Sequence, residues 1–146
     1  MSYKDTGITF KTSAGKKSLS LKKAIDSILT EVADETQNAL TEAMDETGLW
    51  TTQELRAVSM SHGWKHYAKG WTYSREGKKG NTVKVYNATH YQLTHLLEKG
   101  HRIVTTEGKD TGKRAKSIPH IYDVNELVPD KIDELFEKRL KEAGFT

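Results

Sequence analysis

Trp71-Thr72-Tyr73-Ser74, Gly77-Lys78-Lys79-Gly80-Asn81 and Val83-Lys84-Val85-Tyr86 follow one another in the middle of the chain. The two outer runs place large apolar or aromatic side chains on alternate positions, the period of a strand with one buried face. A glycine-rich turn joins them, so the stretch reads as a β-hairpin. Just beyond, Thr89-His90-Tyr91-Gln92 has the form of a capping box, opening a helix through Leu93, Leu96 and Leu97 that Gly100 closes. Residues 101–106 and 113–118 pair as a second hairpin around a tip at 107–112. Val128, Ile132, Leu135, Phe136 and Leu140 then stripe a C-terminal helix, with Pro129 tolerable only in its first turn and Gly144 at its end.

Upstream of the hairpin, Leu21, Ile25, Ile28, Leu29, Val32, Thr36, Ala39, Leu40 and Ala43 recur at three- and four-residue steps. They predict one long amphipathic helix over about 20–46, stopped by Gly48. Thr51-Thr52-Gln53-Glu54 is a second capping box, opening a short helix through Leu55 and Val58 that Gly63 ends. Residues 1–17 lack periodicity and read as a flexible basic arm, leaving 18–146 as a single domain. The expected class is α+β: a small, mostly antiparallel sheet of two hairpins with a long N-terminal helix, a short central helix and a C-terminal helix packed on it.

Composition narrows the function. A chain of 146 residues buries roughly 68–70% of its unfolded surface as one domain. No apolar run approaches the ~18 residues of a membrane span, and no apolar h-region follows Met1-Ser2-Tyr3-Lys4-Asp5. Without cysteine there are no disulfides or thiolate metal sites, as expected of a protein assembled in a reducing cytoplasm. The net charge of +3 conceals blocks: residues 1–23 carry six lysines against one acid, and 24–63 carry eight acids against Arg56 alone. Residues 64–84 return to six cations against one acid. Such blocks suit copies that meet through opposite potentials, although solvated charged faces are the commoner explanation of charge runs.

Six histidines invite a metal or catalytic reading. His62 and His66 stand four apart, a spacing that shares one helix face, but Gly63 interrupts and no third ligand is evident. His90, His95 and His101 lie five and six apart and share no face. There is no cysteine, no Gly-x-Ser-x-Gly elbow and no phosphate-binding loop, so the sequence assigns no catalytic residue, metal or cofactor. A histidine-based nuclease using His90, His95, His101, His120 and Glu98 is the enzymatic alternative. Lys78, Lys79 and Lys84 near one hairpin tip, and Lys109, Lys113, Arg114 and Lys116 in the other, are candidate contacts to partners or DNA. With Trp64, Trp71 and Tyr73 as base-stacking platforms, they frame a third reading, a free DNA-binding module.

One stretch is distinctive. Val85-Tyr86-Asn87-Ala88-Thr89-His90-Tyr91-Gln92-Leu93-Thr94-His95-Leu96-Leu97-Glu98-Lys99-Gly100-His101 closely resembles the signature of the head–tail joining proteins, also called neck or tail-completion proteins, of long-tailed siphovirus-type bacteriophages. Members typically show a Tyr-Ala-x-x-Trp element, here Tyr67 to Trp71, and Pro-His-Ile before a last helix, here Pro119-His120-Ile121. The resemblance spans the long helix to Glu142. It departs after Ile121, where Tyr122-Asp123-Val124 replaces Pro-Ala, and over 45–62, which is longer and more acidic. What it implies is a structural virion protein, forming a ring between the head connector and the tail terminator through which DNA passes in transit. Such a protein would be built in the bacterial cytoplasm, with no membrane partner. Read physically, the same residues predict that Leu93, Leu96 and Leu97 anchor the short helix on the sheet and that His95 and Glu98 hold its turn by local hydrogen bonds.

Overall fold

A computed structural model describes residues 3–11, 30–77 and 80–145. After a 3-10 turn at Tyr3–Thr6 come β1 (Ile8–Lys11), α1 (Thr30–Ser61), α2 (Lys65–Lys69), β2 (Trp71–Glu76) and β3 (Thr82–Asn87). Then follow α3 (Tyr91–Lys99), β4 (His101–Val104), β5 (Asp110–Ala115) and α4 (Tyr122–Glu142). The fold is α+β. Both expected hairpins form, as separate sheets: β1, β3 and β2 make an antiparallel three-stranded sheet with β3 central, and β4 pairs only with β5. No described helix is long and apolar enough to cross a membrane.

The N-terminal arm is the first correction. Ile8 and Phe10 alternate with Thr9 and Lys11, the strand period that lysines and glycines on either side conceal. Ile8 pairs with Val85 in register and is 2% exposed, so β1 belongs to the core. The preceding turn is tied down as well. Lys4 Nζ lies 3.0 Å from Glu76, Asp5 lies 2.6 Å from Lys84, and Tyr3 packs on Tyr86 and Tyr91. The remaining arm residues, 1–2 and 12–17, and the first ten positions of the expected helix lie outside the described residues.

The long helix is the second correction. α1 does not stop at Gly48 but runs on through Ser61. A Cβ at position 48 would stand 2.8 Å from Tyr73 Cδ2 and 3.0 Å from Val83 Cγ1, so glycine is the notch by which the helix meets the sheet. Thr51 and Thr52 open no helix. Their hydroxyls donate to the carbonyls of Thr47 and Gly48, as Thr47 does to Ala43 and Ser59 to Leu55. Ala39, Ala43, Thr47, Thr51, Leu55 and Ser59 thus form one buried row at four-residue steps, its polar atoms satisfied within the helix.

Met44, Leu55, Tyr67, Trp71, Val83, Val85, Val124 and Val128 close the core with Ile8. Trp71 is fully buried; its indole donates to Ser59 Oγ at 3.0 Å, and Arg56 donates to its carbonyl. α4 lies antiparallel along α1, since Lys131 sits over Trp50 while Arg139 reaches back to Glu42 and Glu46. Pro129 stands inside α4, which begins at Tyr122, and not in its first turn. Proline removes one i to i−4 hydrogen bond there, at an exposed position where Asn125 O can turn to water.

Candidate functional site

Three separated stretches of the chain converge. Asn87, buried at the end of β3, donates through Nδ2 to the Tyr67 carbonyl at 2.6 Å. Its Oδ1 accepts from the amides of Thr89 and His90 and from the Thr89 hydroxyl. That asparagine, not the expected Thr89/Gln92 box, organises the start of α3; the N-cap residue His90 makes no side-chain cap bond. A Cβ on Gly70 would collide with Asn87 Oδ1 and Thr89 Oγ1, which explains a glycine of ordinary φ beside the site.

Behind Asn87, the Tyr67 hydroxyl lies 2.9 Å from His120 Nε2 and 3.2 Å from Thr94 Oγ1. His120 Nδ1 faces the Ile118 carbonyl at 3.2 Å. A carbonyl only accepts, so the network assigns the proton to Nδ1; Tyr67 then donates to Nε2, and Thr94 donates to Tyr67. His120 is 1% exposed and walled by Trp64, Tyr67 and Trp71. Burial pushes its imidazole below the ordinary value, against the Ile118 carbonyl and Glu98, and burial raises the Tyr67 hydroxyl to about 12. Both are neutral at pH 7, screened from solvent, and act as a brace.

Glu98 completes it. Its carboxylate accepts from the backbone amides of His120 at 2.8 Å, Ile121 at 2.9 Å and Tyr122 at 3.3 Å. Three successive amides at the N-terminus of α4 are an anion nest, and the protein fills it with its own side chain. Ile118 N donates to Leu97 O at 2.6 Å beside it. The expected local role of His95 and Glu98 is therefore replaced: Glu98 reaches 22 to 24 residues along the chain, and His95 is exposed. The anchoring leucines are corrected too. Leu97 packs on the core and Thr94 is buried, whereas Leu93 and Leu96, each 39% exposed, face outward. Gly100 leaves α3 at φ +75°, ψ 174°, backbone territory that only glycine enters readily.

The remaining candidates disperse. His62 sits in the turn after α1, stacked on Trp64 at 4.5 Å, while His66 lies in α2. His90 meets Thr89, and His101 Nδ1 is buried at the hairpin base. Among the described residues no group of three or more His, Asp or Glu could hold one metal ion. Trp71 is buried, and Trp64 and Tyr73 are half-buried against the core, so none offers a free stacking face. Lys78 and Lys79 lie outside the described residues; Lys109, Lys113, Arg114 and Lys116 are exposed on or beside the β4–β5 hairpin.

Neither the protein-family models, nor the curated proteins, nor the solved structures give a match to this chain.

Proposed function

We propose that the protein is a structural component of a bacteriophage neck, forming a ring that joins the head connector to the tail terminator and lets DNA pass. It works by assembly and not by catalysis, within the virion, after synthesis in the host cytoplasm. The observation that carries this reading is how the motif residues are employed. Tyr67, Asn87, Thr94, Glu98 and His120 are consumed in one buried hydrogen-bond network. Residues spent on holding three chain segments together are the mark of a scaffold motif. Leu93, Leu96 and the second hairpin stay outside it, available to partners.

The test is the mass of the purified protein in solution, alone and mixed with the connector and tail-terminator proteins of the same phage. A ring-sized complex that includes those partners supports the reading. A chain that ignores both, in a phage that joins heads to tails without it, would discard it.

A further inference from the structure

The β4–β5 hairpin gains little support from the other described elements of its own fold. Every residue from Arg102 to Arg114 is exposed, and among the described residues the hairpin's only extensive packing is strand on strand. Isolated two-stranded hairpins are marginal in water, and among the described residues no further strand pairs with either edge. Its surface carries Arg102, Lys109, Lys113 and Arg114, with Ile103 and Val104 exposed among them. Arg102 and Arg114 stand directly opposite in register, a like-charge pair that weakens a free hairpin and is relieved by an acidic partner. Arg102 is partly answered by Asp110 at 2.8 Å; no ion pair engages Lys109, Lys113 or Arg114 among the described residues.

An acidic partner surface exists on the same chain. A groove of about 340 Å³ between the start of α1 and the end of α4 is lined by Glu35, Asn38, Glu42, Arg139 and Glu142. Arg139 is already shared among Glu42, Glu46 and Glu142, whereas Asp34 and Glu35 are exposed beside it. Hairpin and groove lie at opposite ends of α4: the hairpin returns to the core just before Tyr122, and the groove reaches Ala143. A helix of 21 residues is about 30 Å long, and strands of four to six residues extend only about 20 Å. The hairpin therefore cannot reach its own groove.

We propose that the β4–β5 hairpin of one copy docks head-to-tail in the acidic α1/α4 groove of a second copy of this chain. Contacts between two different patches generate a ring whenever the rotation closes. The contact rests on the ring reading above and names its partner surface. A protein partner is favoured over DNA because the apolar pair Ile103 and Val104 and the acids Glu107 and Asp110 interrupt the cations, and no aromatic residue stands on the hairpin.

The chain's lack of cysteine makes the test direct. Copies carrying Lys109→Cys are mixed with copies carrying Asn38→Cys, and a short bis-maleimide is added across a protein dilution series. Mixed copies should cross-link between chains in preference to either copy alone. Lys113→Glu with Arg114→Glu on the hairpin copy should cut the yield about tenfold or more. Asp34→Lys with Glu35→Lys on the groove copy should restore it, and circular dichroism checks that each variant is folded. No cross-link at any concentration, or a yield indifferent to charge reversal, would overturn the contact. So would salt-steep DNA binding lost on reversal without any cross-link. If instead the cross-link behaves as expected while the protein ignores the neck partners, the contact stands and the phage reading falls. Normal neck assembly by the charge-reversed hairpin would do the reverse, removing the contact and leaving the phage reading in place.

Discussion

Replacing Glu98 by alanine removes the anion from the nest at the N-terminus of α4. Three backbone amides lose their acceptor together, and that of His120 is left beside a buried side chain. A lost cap costs about 1 kcal/mol, a partly buried charge at a helix N-terminus up to about 2, and an unsatisfied buried donor about 1–3. These contributions overlap, because they concern the same oxygens, so the expected loss is about 3 kcal/mol. At roughly 2–4 °C per kcal/mol for a chain of this size, Tm should fall by about 10 °C. Glu98→Gln keeps one acceptor oxygen and loses the charge, and should lie about midway. Calorimetry reads both shifts, and hydrogen exchange at the amides of Ile121 and Tyr122 should accelerate ahead of the rest of α4. An alanine variant melting within about 3 °C of the wild type, with those amides still protected, would refute the capping argument.

Ile8→Ala should cost about 2–4 kcal/mol in chemical unfolding, a loss foreign to an unstructured arm, since the side chain is buried against β3. Gly48→Ala should lower stability by about 1 kcal/mol in the same assay despite alanine's better helix propensity, because its methyl meets Tyr73 and Val83. Tyr67 stays protonated when folded up to about pH 12 but ionises near 10 when unfolded, so its contribution is complete below pH 10 and fades as pH rises toward 12. Urea melts from pH 8 to 11 should therefore fall more steeply for the wild type than for Tyr67→Phe. His120 is held neutral with its folded value below the usual 6.5, so stability present above that value should decline as acidification charges the unfolded chain first. His120→Gln should flatten that acid limb in melts between pH 4 and 7.

The alternation around Trp71 and Val85 was legible in sequence because periodic apolar residues report a buried face locally. What escaped was whatever depends on a distant partner. Gly48 has the form of a helix stop, and only the sheet across from it reveals a packing notch. Thr47, Thr51 and Ser59 read as polar, since their pairing with carbonyls four residues back is invisible to hydropathy. Glu98 had plausible neighbours at hand, yet its donors arrive after the whole second hairpin. At the candidate site the motif was visible as a set of residues, but not which of them face inward. Thr94 takes the buried position for which hydropathy favours Leu93 or Leu96, because a hydroxyl is needed beside Tyr67.

The stitching at the base of the second hairpin has an evolutionary consequence. Leu97 O holding Ile118 N, and Glu98 holding His120 and Ile121, close a loop whose contents contribute little to the core. Doubling the length of such a loop costs only about 0.6 kcal/mol in closure entropy. The exposed residues 102–114 can thus lengthen, shorten or reverse their charge while the body folds unchanged. Selection can retune what this protein recognises one hairpin at a time, with the scaffold beneath held constant.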